Sequence, residues 1–141
     1  MAWELLLVLL LLNADLWFRD PFSVRQIASW LLLIASGYLV VEGVRLLRKI
    51  GRPRDEIEGT TVLVVVGAYK YLRHPLYASL LFLGWGAFLK DTSLLAGILA
   101  VAASAFLWVT AKVEEAENVK KFGRDYVDYM KRTKRFVPFL F

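Results

Sequence analysis

The sequence predicts an all-α integral membrane protein with four transmembrane helices, and three observations support this fold class. Hydrophobic residues make up 58% of the 141 residues, and the mean hydropathy is +0.51, whereas soluble domains hold about 45–50% apolar residues. Apolar runs recur along the chain, and charged residues collect in the connections between them. Residues 1–141 are predicted to form a single membrane-embedded domain.

The four spans follow from the apolar runs and from the charged or turn-forming residues between them. They are predicted at about 3–18, 24–47, 76–89 and 92–113. The first run lacks the basic start and the small-residue cleavage site of a signal peptide, so it is interpreted as a membrane helix. Only Lys90 and Asp91 separate the last two spans, which are therefore predicted to form a tight antiparallel hairpin.

Two segments outside the spans are predicted to lie at the membrane surface. Residues 60–66 form a β-branched run that is too short to cross a bilayer as a helix, and they are predicted to be a strand or an extended cytoplasmic connector. Residues 113–130 place apolar side chains at three- and four-residue spacing on one face. This spacing predicts a C-terminal amphipathic helix.

The distribution of basic residues predicts the orientation in the membrane. Lysine and arginine are concentrated between the second and third spans and after the fourth, whereas the other two connections hold Arg19, Arg25 and Lys90. Because cytoplasmic loops carry the excess of basic residues, both termini and the connector before the third span are predicted to face the cytoplasm. Membrane lipids are expected partners, and no nucleic-acid partner is expected.

The stretch 67–77 holds the most unusual chemistry of the chain. It contains the only histidine, His74, next to Arg73 and Pro75, and it also contains three tyrosines. Such a polar cluster at the start of a hydrophobic helix is costly unless something binds it. Arg73 and the free N–H groups of a helix N-terminus suit an anionic ligand, but interfacial snorkelling beside an aromatic belt explains the same residues.

Two other short motifs allow more than one interpretation. Glu114 and Glu115 follow the fourth span, where they are either solvated surface or a pair that holds an ammonium group. Gly84 and Gly86 lie inside the third span, where glycines most often allow close helix packing. The chain has no cysteine and one histidine, so no metal site is expected.

Taken together, the motifs resemble those of the isoprenylcysteine carboxyl methyltransferase and phospholipid methyltransferase superfamily of integral membrane enzymes. The resemblance covers roughly residues 63–138. It rests on the order and spacing of Leu63-Val64, Gly67-x-Tyr69, Arg73-His74-Pro75-x-Tyr77, Glu114-Glu115, Phe122-Gly123-x-x-Tyr126-x-x-Tyr129 and Phe136-x-Pro138. It implies S-adenosylmethionine as cofactor and transfer of its methyl group to a lipophilic acceptor that enters from the bilayer.

The resemblance also implies which residues form the site. Glu114 would take the amino group of the cofactor, and Glu115 would serve as the general base if the acceptor is an amine. Arg135 is the candidate for orienting an anionic headgroup. The implied cofactor-binding residues are Leu63, Val64, Tyr69, His74, Pro75, Leu76, Tyr77, Gly84, Gly86 and Glu114.

One departure from the family pattern leaves the acceptor open. Prenylcysteine enzymes of the superfamily carry a substrate-binding arginine four residues before the cofactor glutamate, and here Thr110 stands at that position. An isoprenylcysteine-type carboxylate or a related prenyl or lipid substrate is the first interpretation, and an amino-lipid N-methyltransferase is the alternative. A small non-catalytic transporter or scaffold is the alternative from another class, although acidic residues near the span ends disfavour transport.

Overall fold

The computed structural model describes residues 2–12, 14, 17–18, 20, 22–52 and 60–138, and the regular structure in them is helical. A π-helical turn follows the second α-helix at Leu47–Gly51, and a 3-10 turn precedes the third at Gly67–Lys70. The all-helical prediction is confirmed for this part of the chain. The described α-helices are Ala2–Leu12 (α1), Val24–Leu46 (α2), Pro75–Phe88 (α3), Leu94–Phe122 (α4) and Arg124–Arg132 (α5).

Two helical stretches are long and apolar enough to cross a membrane. They are Val24–Gly51, which joins α2 to its π-helical turn, and α4. Helices α1 and α3 are also apolar but shorter, with 11 and 14 residues, against about 20 for a bilayer core of ~30 Å. The spans predicted at 24–47 and 76–89 coincide closely with α2 and α3. Helix α1 ends at Leu12, and positions 13, 15 and 16 of the predicted first span lie outside the described residues.

The helix at the predicted fourth span continues beyond residue 113, which corrects the prediction of an amphipathic helix at 113–130. Helix α4 runs unbroken for 29 residues to Phe122, because no proline or glycine occurs between Gly97 and Gly123. The φ of Gly123 is +59°, a backbone conformation that glycine adopts without strain. Helix α5 is then a separate short amphipathic helix that buries Tyr126 and Tyr129.

Contacts divide the chain into two units, and the division falls inside α2, α3 and α4. Unit 1 contains Met1–Gly37 and Ser79–Thr110, and unit 2 contains Tyr38–Ala78 and Ala111–Phe141. That the whole chain forms one domain stays a prediction from its length and composition.

Glycines allow close helix packing in unit 1. A Cβ atom at Gly84 would lie 2.7 Å from a methyl group of Leu6, and one at Gly86 would lie 3.1 Å from Leu33. The Ser29 hydroxyl donates a hydrogen bond of 2.6 Å to the Gly86 carbonyl. Side chains larger than hydrogen would therefore push α3 away from its neighbours, as expected of packing glycines in membrane helices.

A lysine is fully buried at the turn between α3 and α4 of unit 1. The ammonium group of Lys90 donates hydrogen bonds to Gln26 Oε1 at 2.8 Å and to the Trp17 carbonyl at 3.4 Å. The same nitrogen lies 3.8 Å from the centroid of the Trp30 ring, within the range of a cation–π contact. The amide, the carbonyl and the aromatic face together compensate the buried charge.

Replacing Lys90 by methionine is expected to destabilise the protein by about 1.5–3 kcal/mol, because Gln26 Oε1 loses a charged hydrogen-bond donor inside the protein. Denaturant unfolding in detergent measures the change. The double variant Lys90→Met with Gln26→Leu is expected to recover most of the loss, since it removes the polar groups of both partners of this hydrogen bond. A single variant as stable as the wild type would contradict this account.

Backbone hydrogen bonds in unit 2 tie the connector to the π-helical turn and the C-terminal tail to the segment before α3. The Gly51 carbonyl, at the end of the π-helical turn, accepts a bond of 2.8 Å from the Thr61 N–H. The tail after α5 is fixed by the Arg73 N–H, which donates to the Lys134 carbonyl at 2.7 Å. Residues 60–66 are not assigned to a strand, so of the two predicted alternatives the structure has the extended connector.

Candidate functional site

Glu115 is the centre of an ion-paired cluster in unit 2. Its carboxylate is 5% exposed and accepts hydrogen bonds from Arg73 Nε at 2.7 Å and from Arg135 Nη2 at 2.6 Å and Nε at 3.0 Å. The two N–H groups of Arg135 make the bidentate arrangement of a strong arginine–carboxylate pair. Because Arg73 precedes α3 and Arg135 follows α5, Glu115 ties α4 to two distant segments.

Arg73 also binds the C-terminal end of α5. Its Nη1 atom donates to the Met130 carbonyl at 3.0 Å and to the Thr133 carbonyl at 2.5 Å. Carbonyls at the end of a helix lack intrahelical partners and need donors of this kind. Arg73 therefore couples the position of α5 to the carboxylate of Glu115.

His74 lies between the two glutamates. Its Nδ1 atom is 3.4 Å from Glu114 Oε2, its Nε2 atom is 3.4 Å from Glu115 Oε1, and its ring stacks on that of Tyr77. His74 is 7% exposed, and Nε2 has no hydrogen-bond partner in the described part of the chain, since its approach to Glu115 lacks hydrogen-bond geometry. Buried ring nitrogens normally have a partner, so this atom points to a group that binding would supply.

Both glutamates favour the protonated form of the imidazole. Burial lowers the pKa of His74, but the nearby carboxylates of Glu114 and Glu115 outweigh burial and raise the pKa above 6.5. The folded protein therefore holds this proton more tightly than the unfolded chain does. The resulting stabilisation is complete below about pH 6.5 and is lost as the pH rises through the folded-state pKa.

We expect the His74 imidazole to titrate with a midpoint above 6.5 when NMR follows it in detergent micelles. The chain has one histidine, so the imidazole signals are assigned without further variants. Glu114→Gln is expected to lower the midpoint, because it removes one of the two carboxylates that favour the imidazolium. A wild-type midpoint at or below 6.5, or no shift in the variant, would be inconsistent with these contacts.

Glu114 is the more accessible of the two glutamates. Its side chain is 25% exposed, against 6% for that of Glu115. The Tyr77 hydroxyl donates a hydrogen bond to Glu114 Oε1, and Oε2 is the oxygen that lies beside His74. These neighbours orient the Glu114 carboxylate and leave it accessible to a cationic ligand group.

A cavity in unit 2 brings together many of the residues that the family resemblance implied. It encloses about 50 Å³, and about 460 Å³ when its open mouth is included. Leu63, Val64, Tyr69, His74 and Glu114 were predicted to share a site, and all of them line this cavity. The full lining is Leu47, Thr60, Leu63, Val64, Tyr69, Arg73, His74, Glu114, Asn118, Phe122, Tyr126 and Tyr129.

The other predicted site residues lie outside this lining. Pro75 and Leu76 begin α3, and Leu76 packs against the apolar cluster beside the cavity. Tyr77 contacts Glu114 through its hydroxyl. Glu115 and Arg135 are hydrogen-bonded to each other, so each already binds a strong partner.

Gly84 and Gly86 belong to unit 1, where they pack against leucine side chains. Their implied part in cofactor binding stays a prediction.

Asn118 lines the cavity but was not predicted from the sequence. It lines the cavity together with Tyr126, and it follows Glu114 by four residues on α4. Side chains at this spacing share one face of a helix, so the position of Glu114 could have pointed to it. Thr60 was also not predicted as a lining residue. Its position in the cavity depends on the contact of the connector with α4, where Lys121 Nζ donates a hydrogen bond to the Thr60 carbonyl.

Two helical stretches long and apolar enough to cross a bilayer indicate an integral membrane protein, and the ion-paired cavity in unit 2 is its candidate site. A comparison with family models gives the more specific assignment. The model for phospholipid methyltransferases matches residues 24–125, which include all of α2, α3 and α4 with the two glutamates. The chain belongs to this family.

Two curated proteins are similar to the chain. Methanethiol S-methyltransferase 2 of Bradyrhizobium diazoefficiens is 35% identical over 75 residues, which are 52% of this chain and 27% of the relative. The protein-S-isoprenylcysteine O-methyltransferase of Rattus norvegicus is 28% identical over 129 residues, which are 84% of this chain and 44% of the relative. The chain thus spans less than half of the length of either relative.

Proposed function

We propose that the protein is an S-adenosylmethionine-dependent methyltransferase that acts on a lipophilic acceptor. The observation that carries the proposal is the position of the His74 ring, which lies within 3.4 Å of both glutamates in one aromatic-lined cavity. A carboxylate for an ammonium group and aromatic faces for a sulfonium and a purine suit this cofactor. Membership of the phospholipid methyltransferase family supports the same chemistry.

The residues of the cavity fit the cofactor in chemical type. Glu114 offers an accessible carboxylate, and the unpartnered Nε2 of His74 offers a nitrogen that a ligand can satisfy. The enclosed 50 Å³ is small beside the roughly 300–1,000 Å³ of ordinary small-molecule sites, whereas the 460 Å³ that includes the mouth is within that range. The cofactor would therefore occupy the mouth as well as the enclosed part.

When bound, the cofactor supplies a methyl group on a sulfonium that is already activated for direct displacement. The protein contributes position and exclusion of water. In this proposal Glu114 holds the ammonium group, and Tyr69 and Tyr126 form aromatic walls of the cavity. His74 is a second polar contact, and Leu63 and Val64 contribute through the connector.

We assign Glu115 and Arg135 positioning roles in place of the catalytic roles that the resemblance suggested. Glu115 accepts hydrogen bonds from two guanidinium groups, and a carboxylate so stabilised is a weak base. Arg135 directs its fork at Glu115, so its hydrogen-bonding edge is engaged inside the protein. Their joint effect is to fix Arg73, His74 and the tail around the cavity.

An acceptor that needs no general base is favoured by this arrangement. A carboxylate or a thiolate is such an acceptor, and the relatives' names refer to methanethiol and to isoprenylcysteine. Thr110 carries no charge, and its hydroxyl donates to the Phe106 carbonyl, which leaves a prenylcysteine carboxylate without the family's arginine. An amino-lipid is the second candidate, and the family name supports it.

The proposed topology has four spans, with α1 and α3 crossing in addition to the two longer stretches. A contact between the two helices supports an antiparallel α3–α4 hairpin. Trp85 Nε1 on α3 donates a hydrogen bond of 3.2 Å to Ser104 Oγ on α4. The basic residues near the cavity support a cytoplasmic site and cytoplasmic termini. The acceptor would then enter from the bilayer, and the cofactor from the cytoplasm.

Titration calorimetry with S-adenosylhomocysteine in detergent tests the proposed function. Saturable heat is expected for the wild type and for Glu117→Gln, an exposed acidic control on the same helix. His74→Ala is expected to bind more weakly, since it removes the unpartnered nitrogen and the ring stacked on Tyr77. The absence of saturable heat for the wild type would eliminate the proposal.

Incubation of the protein with methyl-labelled cofactor and extracted lipids separates the acceptor classes. A methyl ester releases its label as volatile methanol on mild base treatment, whereas an N-methyl or S-methyl product retains it. Mass spectrometry of the labelled lipid then distinguishes nitrogen from sulfur. Base-labile label would support a carboxylate acceptor, and label retained on an amino-lipid would favour the second candidate.

A further inference from the structure

A second concave surface lies in unit 2, on the other side of Tyr129 from the cavity. We call it the Tyr71 groove; it has a volume of about 690 Å³, and Tyr129 lines both it and the cavity. Its apolar part comes from Val65 and Val66 of the connector, and its basic part comes from Lys70 and Arg132. The proposed methyl-transfer chemistry does not use this groove.

The exposure of the groove residues is unusual for a surface in contact with water alone. Val65, Val66 and Tyr71 are all exposed large hydrophobic residues, and they are neighbours in one groove. Contiguous exposed apolar surface marks a place where another molecule or a membrane binds. An exposed tyrosine beside valines is typical of the level of the membrane where headgroups meet acyl chains.

The charges of the groove select an anionic occupant. Among the described residues no acidic side chain lines it, and neither Lys70 nor Arg132 forms an ion pair with a carboxylate of that part of the chain. Arg132 uses its Nε for the Asp128 carbonyl, so the rest of its guanidinium can bind a phosphate. The Nζ atom of Lys70 lies 5.8 Å from the centroid of the Tyr71 ring. Its ammonium group is therefore close to the aromatic wall of the groove.

The groove also adjoins a helix that is long enough to cross the bilayer. A Cβ atom at Gly67, which lines the groove, would lie 2.6 Å from the Leu46 side chain at the end of α2. The basic residues Arg48 and Lys49 follow after Leu47. An apolar helix end followed by basic residues is the level at which phospholipid headgroups lie.

From these observations we infer that the Tyr71 groove is a binding site for one anionic phospholipid. Lys70 and Arg132 would bind the phosphate and its headgroup, and Val65, Val66 and Tyr71 would contact the upper part of the acyl chains. The inference does not depend on the methyltransferase proposal, because it concerns different residues and a different ligand. Binding of the lipid would hold the connector and α5 against the membrane surface.

Native mass spectrometry from detergent, with added phosphatidylglycerol or phosphatidylcholine, tests the inference. The wild type is expected to retain one phosphatidylglycerol molecule in preference to phosphatidylcholine. Lys70→Ala combined with Arg132→Ala is expected to weaken phosphatidylglycerol binding by about 30-fold, from about 1 kcal/mol for each basic residue. The matched control is Lys120→Ala with Arg124→Ala, which removes the same charge from exposed positions outside the groove.

Equal binding of the two lipids by the wild type, or an equal loss in the control, would overturn the inference. Val66→Asp places a like charge among the acyl contacts and is a second, independent variant, expected to weaken phosphatidylglycerol binding while Lys70 and Arg132 are retained. Glycerol phosphate tests the source of the anion and is expected not to displace the lipid, because it lacks acyl chains. Full displacement by glycerol phosphate would show a simple phosphate site and overturn the assignment to a phospholipid.

Discussion

Replacing Glu115 by glutamine is expected to destabilise the folded protein by about 3–5 kcal/mol, the usual cost of removing one partner from a buried ion pair. The glutamine side chain keeps the size of glutamate but not its charge, so Arg73 and Arg135 are left facing each other without a carboxylate between them. The tail and the segment before α3 lose their common attachment to α4. Denaturant unfolding of the purified protein in detergent measures the loss.

The control for this prediction is the exposed Glu117 on the same helix. Glu117→Gln is expected to change the unfolding free energy by no more than about 0.5 kcal/mol, as surface substitutions usually do. A Glu115→Gln variant with the stability of the control would mean that the two arginines do not depend on this carboxylate. The double variant Glu115→Leu with Arg135→Met is expected to be more stable than Glu115→Gln, since it removes one of the uncompensated charges.

The meeting of His74 with the two glutamates is the part of the site that the sequence predicts best. The order and spacing of the motifs implied that residues 63–77 and 114–115 share one site, and in the structure the His74 imidazole lies 3.4 Å from both carboxylates. The helices were also predictable, because long apolar runs between charged connections have few alternatives. Their ends were predicted less well where composition changes inside a continuous helix.

The end of α4 shows why composition misled the prediction. Charged residues replace apolar ones after Val113, and this change was interpreted as the start of a new element. A helix, however, tolerates glutamate and lysine well and ends where the backbone requires it, here at Gly123 with its positive φ. A prediction that ended the helix at Gly123, and not at the change in polarity after Val113, would have placed the end of α4 correctly.

The arginine pair around Glu115 could not be predicted from local sequence. Arg135 reaches Glu115 only because the tail returns alongside the segment before α3, where Leu72 and Lys134 form a parallel bridge. A single bridge of this kind has no periodic signature, since it depends on contacts between distant parts of the chain. The sequence therefore suggested a free Arg135, and the folded chain places it in an ion pair.

Replacing Glu114 by glutamine is expected to weaken the binding of S-adenosylhomocysteine by roughly 10- to 150-fold. The range follows from about 1.5–3 kcal/mol for a hydrogen bond to a charged group. In the proposed site this carboxylate is the partner of the ligand ammonium group, and glutamine keeps its shape without its charge. Calorimetry in detergent measures the affinity, with Glu117→Gln as the charge-matched control.

The same variant separates the roles of the two adjacent glutamates. Glu114 is partly exposed and lies beside Tyr77 and His74, whereas Glu115 is buried between Arg73 and Arg135. Glu114→Gln is therefore expected to lose affinity while its unfolding free energy stays within about 1 kcal/mol of the wild type. If Glu114→Gln unfolded as readily as Glu115→Gln and still bound the ligand at full strength, both glutamates would be structural, and the ammonium partner would have to be sought elsewhere in the cavity.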